Sequence, residues 1–394
     1  MKKTRVVPIF ISLFILYAFF ACQKIKTENE EKNEVTDDLE VVVNPETPKS
    51  QDAGRIVLLE EELRIRDDGE RAVFYAPQKL TIMEDGSLIF IDEALYKYNK
   101  NGQIDFIINK PGKGPGEYNH AGIFFIMNDH IRLQAWDPPK ILDYEMDGDY
   151  VKEIRTEIVR PLFFVRYING KIYAIKPGVS FNEFVKKAGF VDIPYALYEV
   201  KENFQNMKLI YDFPVSHYIS HYNNQGRWSR IVMFDVAVFG HYLFILNSDV
   251  YKIEKFDLLQ QKIERIFKRD YQRVKDDIND IEEQMEERVP RSAAPPPFEY
   301  KFDIIKICVV KNQLWAFTST TKNNGSQWLV DVFDMNGQYE DNFFLDFSSS
   351  NRVHWIGHSV ISDDGTYIFI PEQNQEDSLV SIGKYRIKDV NSKN

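Results

Sequence analysis

Ile141-Leu142-Asp143-Tyr144-Glu145-Met146-Asp147-Gly148, running on into Tyr150–Ile154, is the stretch from which the fold can be read. Apolar and polar side chains alternate through it, the period of a strand with one face buried. Asp147-Gly148 then supplies the positive φ angles of a tight hairpin, and a second strand-like run follows. The phrase recurs along the chain. Leu95–Gly102 leads into Gln103–Ile108, Leu197–Lys201 into Met207–Phe213, and Tyr251–Asp257 into Lys262–Phe267. Val330–Gly337 leads into Tyr339–Leu345, and Ser381–Arg386 is the last copy. Equivalent positions fall at 99, 145, 201, 257, 334 and 386. Short strands repeating on this scale are the sign of propeller blades, and six copies predict six blades.

Working outward, the other strands fill each unit. Blade two reads Ile123–Met127, Ile131–Trp136, Ile141–Met146 and Tyr150–Ile154. The last blade has three candidate strands, and the early run Ile56–Leu63 is predicted to supply its fourth and close the ring, leaving no open edge. The expected fold is an all-β six-bladed propeller over 54–389. Its 14% aromatic content, with 29 Phe and 21 Tyr, suits strands. The formal charge of −11 argues against nucleic acid as a partner.

The first residues read as an address. Lys2, Lys3 and Arg5 precede the apolar run Val6–Ala21, which is shorter than the roughly 20 residues of a spanning helix. Residues 1–21 are therefore a predicted signal peptide. Phe19-Phe20-Ala21-Cys22 resembles the lipobox of bacterial lipoproteins, which implies cleavage before Cys22 and a membrane anchor through lipid on that residue. Residues 22–50 are rich in acids and lack aromatic residues, and are predicted to be a flexible acidic tether. It resembles the leader of surface lipoproteins in the Bacteroides group, implying a cell-envelope, outer-membrane address, periplasmic or surface-exposed. With Cys22 acylated, Cys308 has no disulfide partner and reads as a small core residue.

Asn109-Lys110-Pro111-Gly112-Lys113-Gly114-Pro115-Gly116-Glu117-Tyr118, with Trp136-Asp137 and the Tyr144–Gly148 turn, resembles the six-bladed, NHL-like β-propeller lipoproteins of Bacteroides-type bacteria. The resemblance implies the fold and export over about Gly54–Asp389, and no activity. Read from its residues, the loop is either a turn stiffened by Pro115 or a binding rim presenting Lys113, Glu117 and Tyr118.

By analogy with other propellers, ligands are expected on the face that bears the inter-blade loops. The elaborated ones are this Gly-rich loop, Ser216–Trp228, an insertion over 270–300, and Ser350–His354. Val274, Ile278, Ile281, Met285 and Val289 form an apolar stripe at helical spacing, so a helix is predicted there, followed by Pro295-Pro296-Pro297. It packs on the rim or covers the channel mouth. His217 and His221 are four apart, a zinc-ligand spacing on a helix, but a metal site needs more ligands and none is assigned. Arg227, Trp228, Arg352 and His354, with Tyr218 and Tyr222, suit a sugar or peptide through flat rings and guanidinium groups. No nucleophile elbow, phosphate loop or triad is visible. Two readings follow. One is a binding module for a glycan, peptide or protein, without a cofactor. The other is a metal-dependent hydrolase or lyase with a divalent cation at the axis, drawing on Asp92, Asp137 or Asn247, whose ordinary role is to form turns.

Overall fold

The computed structural model describes residues 39–66, 73–156, 162–178, 189–204, 206–222, 225–230, 233–276, 299–347 and 352–389. The predicted signal peptide, Cys22, the tether up to 38, and 277–298 of the insertion lie outside the described residues. Residues 41–394 are one unit.

Two strands precede the repeats, β1 (Glu40–Asn44) and β2 (Arg55–Arg66). Blade one is β3 (Gln78–Ile82), β4 (Leu88–Ile91), β5 (Leu95–Tyr98) and β6 (Ile104–Ile108). Blade two is β7 (Ala121–Met127), β8 (His130–Trp136), β9 (Pro139–Glu145) and β10 (Tyr150–Arg155). Blade three is β11 (Phe164–Ile168), β12 (Lys171–Pro177), β13 (Gly189–Val200), β14 (Met207–Tyr222) and β15 (Gln225–Arg230). Blade four is β16 (Asp235–Phe239), β17 (Tyr242–Leu246), β18 (Lys252–Asp257) and β19 (Lys262–Arg269). Blade five is β20 (Ile304–Val310), β21 (Gln313–Lys322), β22 (Gln327–Phe333) and β23 (Tyr339–Asp346). Blade six is β24 (Arg352–His354), a single 3-10 turn (Ile356–His358), β25 (Val360–Ile361), β26 (Tyr367–Asn374) and β27 (Val380–Asp389).

Each blade is an antiparallel meander whose first strand lies at the axis. The middle strands are buried on both faces, because every blade is pressed between two neighbours. Leu88-Ile89-Phe90-Ile91 is buried at all four positions. Six apolar clusters fill the six inter-blade spaces. Leu133 and Tyr144 of blade two meet Ile89 of blade one, and Ile123 and Ile141 meet Val165 and Ala174 of blade three. Tyr195 and Phe213 meet Leu243 and Phe256; Phe244 and Phe267 meet Leu314 and Phe333; Phe317 and Phe343 meet Ile370 and Tyr385. The last cluster joins Phe369 and Ile382 of blade six to Leu80 and Phe90 of blade one, so the ring closes. Each fully buried side chain of this size stabilises the fold by about 1.5–3 kcal/mol.

Closure follows the sequence expectation. From Val57↔Asp389 to Arg66↔Ser381, β2 pairs antiparallel with β27 as the outer strand of blade six. Its first residues also pair in parallel with β23, from Arg55↔Phe343 to Leu58↔Asp346. One strand thus stitches blades five and six into a continuous sheet.

Three expectations need correction. The tether does not extend to residue 50. Glu40-Val41-Val42-Val43-Asn44 is a strand at the rim of blade four beside β19. Asn44 is 4% exposed; its Nδ2 donates to the carbonyls of Lys268 (3.0 Å) and Gly337 (2.8 Å), and its Oδ1 accepts the Tyr339 amide (2.9 Å). The amides of Ser50 and Gly54 then donate to the carbonyls of Glu340 and Asn342, carrying the segment along blade five to β2. A run of three valines favours a strand even inside an acidic leader. The predicted helix does not begin at Val274. The Lys301 amide donates to the Val274 carbonyl, the Asp276 amide to the Glu299 carbonyl, and Lys275 bridges Tyr300, so the insertion leaves blade four on an extended stem. No α-helix occurs among the described residues, and the stripe from Ile278 onward lies outside them. Finally, Ser216–Trp228 is a strand hairpin rather than a loop. β14 runs on past the other outer strands and turns back as β15, pairing Ile219 with Trp228 and Ser220 with Arg227.

Candidate functional site

In blades one to five the first-to-second and third-to-fourth connections are turns at one end of the ring. Asn128 and Asp129, both at positive φ, make one of them. The second-to-third loops and the inter-blade segments emerge at the other end, and among them are the segments that carry Lys113, Glu117, Tyr118 and Asp137.

The Gly-rich loop is braced from within. Glu117 Oε2 accepts the Gly114 amide (2.9 Å), and the Gly112 amide donates to Asn119 Oδ1 (3.0 Å). Lys140, 1% exposed, donates to the Gly114 carbonyl (2.7 Å) and pairs with Glu153 (2.7 Å). Gly112 has φ +148°, and a Cβ there would sit 2.1 Å from Glu117 Oε2, so glycine is required for this close approach. Tyr118 is 2% exposed and its hydroxyl donates to the Ile108 carbonyl (2.5 Å). Tyr118 therefore holds the loop instead of facing outward, which corrects the binding-rim expectation for it, while the half-buried Glu117 braces the loop through Oε2. Lys113 does face outward, 71% exposed, 3.3 Å from Asp137. The hydrogen bond from Asn119 and the contact with Lys113 hold the Asp137 carboxyl below the usual carboxylate range.

Arg352 and His354 converge on one carboxylate. Glu372 is fully buried and accepts hydrogen bonds from Arg64 and Tyr385, with His354 Nε2 at 3.4 Å and Arg352 Nε at 3.8 Å. Burial alone would raise the Glu372 pKa; the bonds from His354, Tyr385 and Arg64 outweigh it and hold the group ionised below the ordinary range. Arg352 remains partly exposed at the edge of this cluster.

The two histidines of blade three do not meet. His217 is fully buried, stacked on Tyr195 with ring centroids 5.8 Å apart, its Nδ1 2.8 Å from the Val215 carbonyl oxygen. His221 lies four residues further along the same strand, a separation of about 13 Å, too far for a shared metal. The zinc spacing depended on a helix. His221, Arg227 and Trp228 are placed by backbone alone, at the end of the β14–β15 ribbon.

Asp92, Asp137 and Asn247 serve their loops separately. Asp92 Oδ2 accepts the Tyr75 and Ala76 amides (2.7 and 3.0 Å), and Asn247 is 9% exposed. Among the described residues no three His, Cys, Asp or Glu side chains stand close enough to hold a metal ion.

At the axis the structure brings together groups that the sequence reading passed over. Lys79 on β3 is exposed, and its Nζ reaches the Phe163 carbonyl (2.9 Å) just before β11. Arg166 on β11, Asp235 on β16, Lys306 on β20 and His358 on the 3-10 turn complete the set. Asp235 Oδ2 accepts the Ile307 amide (3.0 Å), joining the first strands of blades four and five. Burial lowers the His358 pKa, and Lys306 and Lys79 nearby lower it further. Cys308, two residues after Lys306, is partly buried, and burial pushes its thiol up to about 12. A signal was present: Phe164-Val165-Arg166-Tyr167-Ile168 and Ile304-Ile305-Lys306-Ile307-Cys308 each carry one cation inside an apolar first strand.

Among solved structures, a Bacteroides fragilis protein inferred to be exported superposes with a TM-score of 0.52 at 14% identity, covering 89% of this chain and 100% of that one. A calcium-binding regucalcin from Agrobacterium tumefaciens gives 0.41 at 9% identity, over 85% and 97%. A virginiamycin B lyase from Staphylococcus aureus gives 0.40 at 13%, over 83% and 99%. No curated protein matches the sequence. Residues 70–289 match a family described as 6-bladed beta-propeller, which covers more than half the chain. With six blades closed by six inter-blade cores, the chain belongs to that family.

Proposed function

We propose that this chain is an exported, lipid-anchored binding protein whose propeller captures a glycan, peptide or protein on the face bearing the inter-blade loops. The observation that carries the reading is the internal bracing of the Gly-rich loop, which holds Lys113 and Asp137 outward over a loop fixed by Glu117, Tyr118 and Lys140. A loop ordered before its ligand arrives loses little conformational freedom on binding, so more of the contact energy appears as affinity. Arg352 adds a partly exposed guanidinium to the same face. The basic start, the apolar run and Cys22 support an anchored address in the outer membrane, and the exported Bacteroides fragilis neighbour supports a location outside the cytoplasm.

Two measurements test this. The full chain, produced in a bacterium that processes lipoproteins and fed an alkyne-tagged fatty acid, should incorporate label, and Cys22→Ser should abolish it. An unlabelled wild-type chain would remove the anchor from the reading. Arrayed glycans and peptides probed with the full chain should give signals that fall in Lys113→Ala and Arg352→Ala and persist in Lys262→Ala, on the opposite face. Signals that respond equally to all three, or none at all, would sink the binding-face reading.

A further inference from the structure

Six buried or partly buried cations away from the axis follow one rule: each has a carboxylate. Arg64 pairs with Glu372, Arg132 with Asp143 (2.9 Å), Lys140 with Glu153 (2.7 Å), Lys255 with Glu264 (3.0 Å), Arg269 with Asp331, and Arg273 with Asp303 (2.9 Å). The rule is what desolvation demands, since a charge removed from water needs a counter-charge. The axis breaks it. Arg166, Lys306 and His358 make no ion pair among the described residues. Among the described residues the Arg166 guanidinium donates to the Val165 carbonyl (2.9 Å), lies over the Phe164 ring (5.6 Å), and feels the charge of Asp235 without a direct contact. Arg166 nevertheless presents accessible surface. Protein atoms crowd it, so it faces an internal space and not open water, and this burial lowers its pKa.

Composition does not explain the excess. The chain carries 60 acids against 49 Lys and Arg, yet the first strands and the 3-10 turn bring Lys79, Arg166, Lys306 and His358 to the axis, and among the described residues Asp235 is the acid that acts on both Arg166 and His358. That acid is already engaged, accepting the Ile307 amide with one oxygen (3.0 Å) and its neighbour Val236's amide with the other (2.9 Å). Low-dielectric walls around like charges focus their field and concentrate counter-ions.

We propose that the axial channel is an anion site, built for an oxyanion group (carboxylate, sulfate or phosphate) held by Arg166 and Lys306 with His358 beside them. Arg166 offers a planar fork that matches two oxygens, and Lys306 a point charge. The site names the ligand chemistry for the binding face above and rests on that reading. A divalent cation at the same place would meet this charge unfavourably.

The test is titration calorimetry on the full chain at low ionic strength, with sodium sulfate, inorganic phosphate, glucose 6-sulfate and glucose as probes. Saturable binding of the anions, and none of glucose, is expected. Arg166→Gln and Lys306→Met should each weaken it at least tenfold. Lys171→Gln, which removes the same charge at the opposite end of the ring, should leave it unchanged. Removing an uncompensated charge should leave the melting temperature of Arg166→Gln at or above that of the wild type. Sulfate should raise the wild-type melting temperature more than the variant's. Inorganic sulfate binding as tightly as glucose 6-sulfate marks a site for the free ion, and tighter glucose 6-sulfate marks one for an oxyanion on a larger ligand. Absence of saturable anion binding, or equal loss in Lys171→Gln, overturns the proposal. If array signals from neutral glycans survive in Arg166→Gln, the binding-face reading stands while the axial site falls.

Discussion

Glu372→Gln should be among the most damaging single changes in this fold. The side chain is fully buried on β26, and its carboxylate takes hydrogen bonds from Arg64 on the closing strand and Tyr385 on β27, with His354 of β24 3.4 Å away. One carboxylate therefore ties together all the main strands of blade six, including the one that fastens the ring. Removing its charge leaves Arg64, whose side chain is 6% exposed, with the 41% exposed Glu61 as its one remaining counter-charge among the described residues. Breaking one side of a buried pair lowers stability by about 3–5 kcal/mol. In a chain of this size that is a fall in melting temperature of roughly 4–7 °C. The assay is reversible thermal or urea unfolding followed by circular dichroism. Because the folded-state pKa of Glu372 is depressed, the wild type holds this contribution above the unfolded carboxyl range and loses it as pH falls through the folded value. The gap between wild type and variant should accordingly narrow on acidification. The double change Arg64→Met with Glu372→Leu should be less harmful than the sum of the single changes. A single-variant loss below about 1 kcal/mol, or strict additivity in the double variant, would refute the argument.

Other perturbations probe separate parts. Gly337→Ala places a Cβ 2.2 Å from the fully buried ring of Phe267 at φ +83°, so a loss of about 1–3 kcal/mol is expected in the same unfolding assay. Asn44→Ala removes three hydrogen bonds that pin the leader to blades four and five; a loss of about 1.5–4 kcal/mol should accompany faster hydrogen exchange at the Tyr339 amide. His358 has a folded pKa below its unfolded value, so stability should fall as pH drops below about 6.5, and His358→Gln should flatten that slope. An unchanged slope would mean that protonation elsewhere governs it.

The repeats were legible because a tight hairpin needs particular residues at fixed places. Asp147-Gly148 and Asn336-Gly337 mark third-to-fourth turns with local chemistry that distant packing does not override. The closing strand was legible by counting, since blade six was one strand short. β1 was not, because averaging composition across an acidic leader hides Val41-Val42-Val43. Blade three's ribbon was misread for a related reason. His217-Tyr218-Ile219-Ser220-His221 has polar residues on both sides, and only the register with Gly189–Val191 and Arg227–Arg230 makes it a strand. Of the residues proposed for the face, Lys113, Asp137 and Arg352 reach its surface, while Glu117, Tyr118 and His217 are spent on bracing or packing. Sequence distinguishes a loop from a strand more readily than an outward side chain from an inward one. The axial cations escaped notice because their grouping exists only once the ring has closed: Lys79 and His358 are 279 positions apart.

The seam between β2 and β27 carries a consequence for how such a chain matures. Val57 must wait for Asp389 before it has its antiparallel partner. If export threads the polypeptide across a membrane amino end first, the clasp half made earliest is left holding until the final stretch has crossed. Pairing between chain ends is slow, because a long loop must be closed before the contact yields anything. An unpaired, partly apolar strand is also a template for the wrong neighbour. The charges Glu60, Glu61, Glu62, Arg64 and Arg66 along that strand then have a second use, since in-register parallel coupling to another copy would set like charges opposite one another while the rightful mate is still in transit.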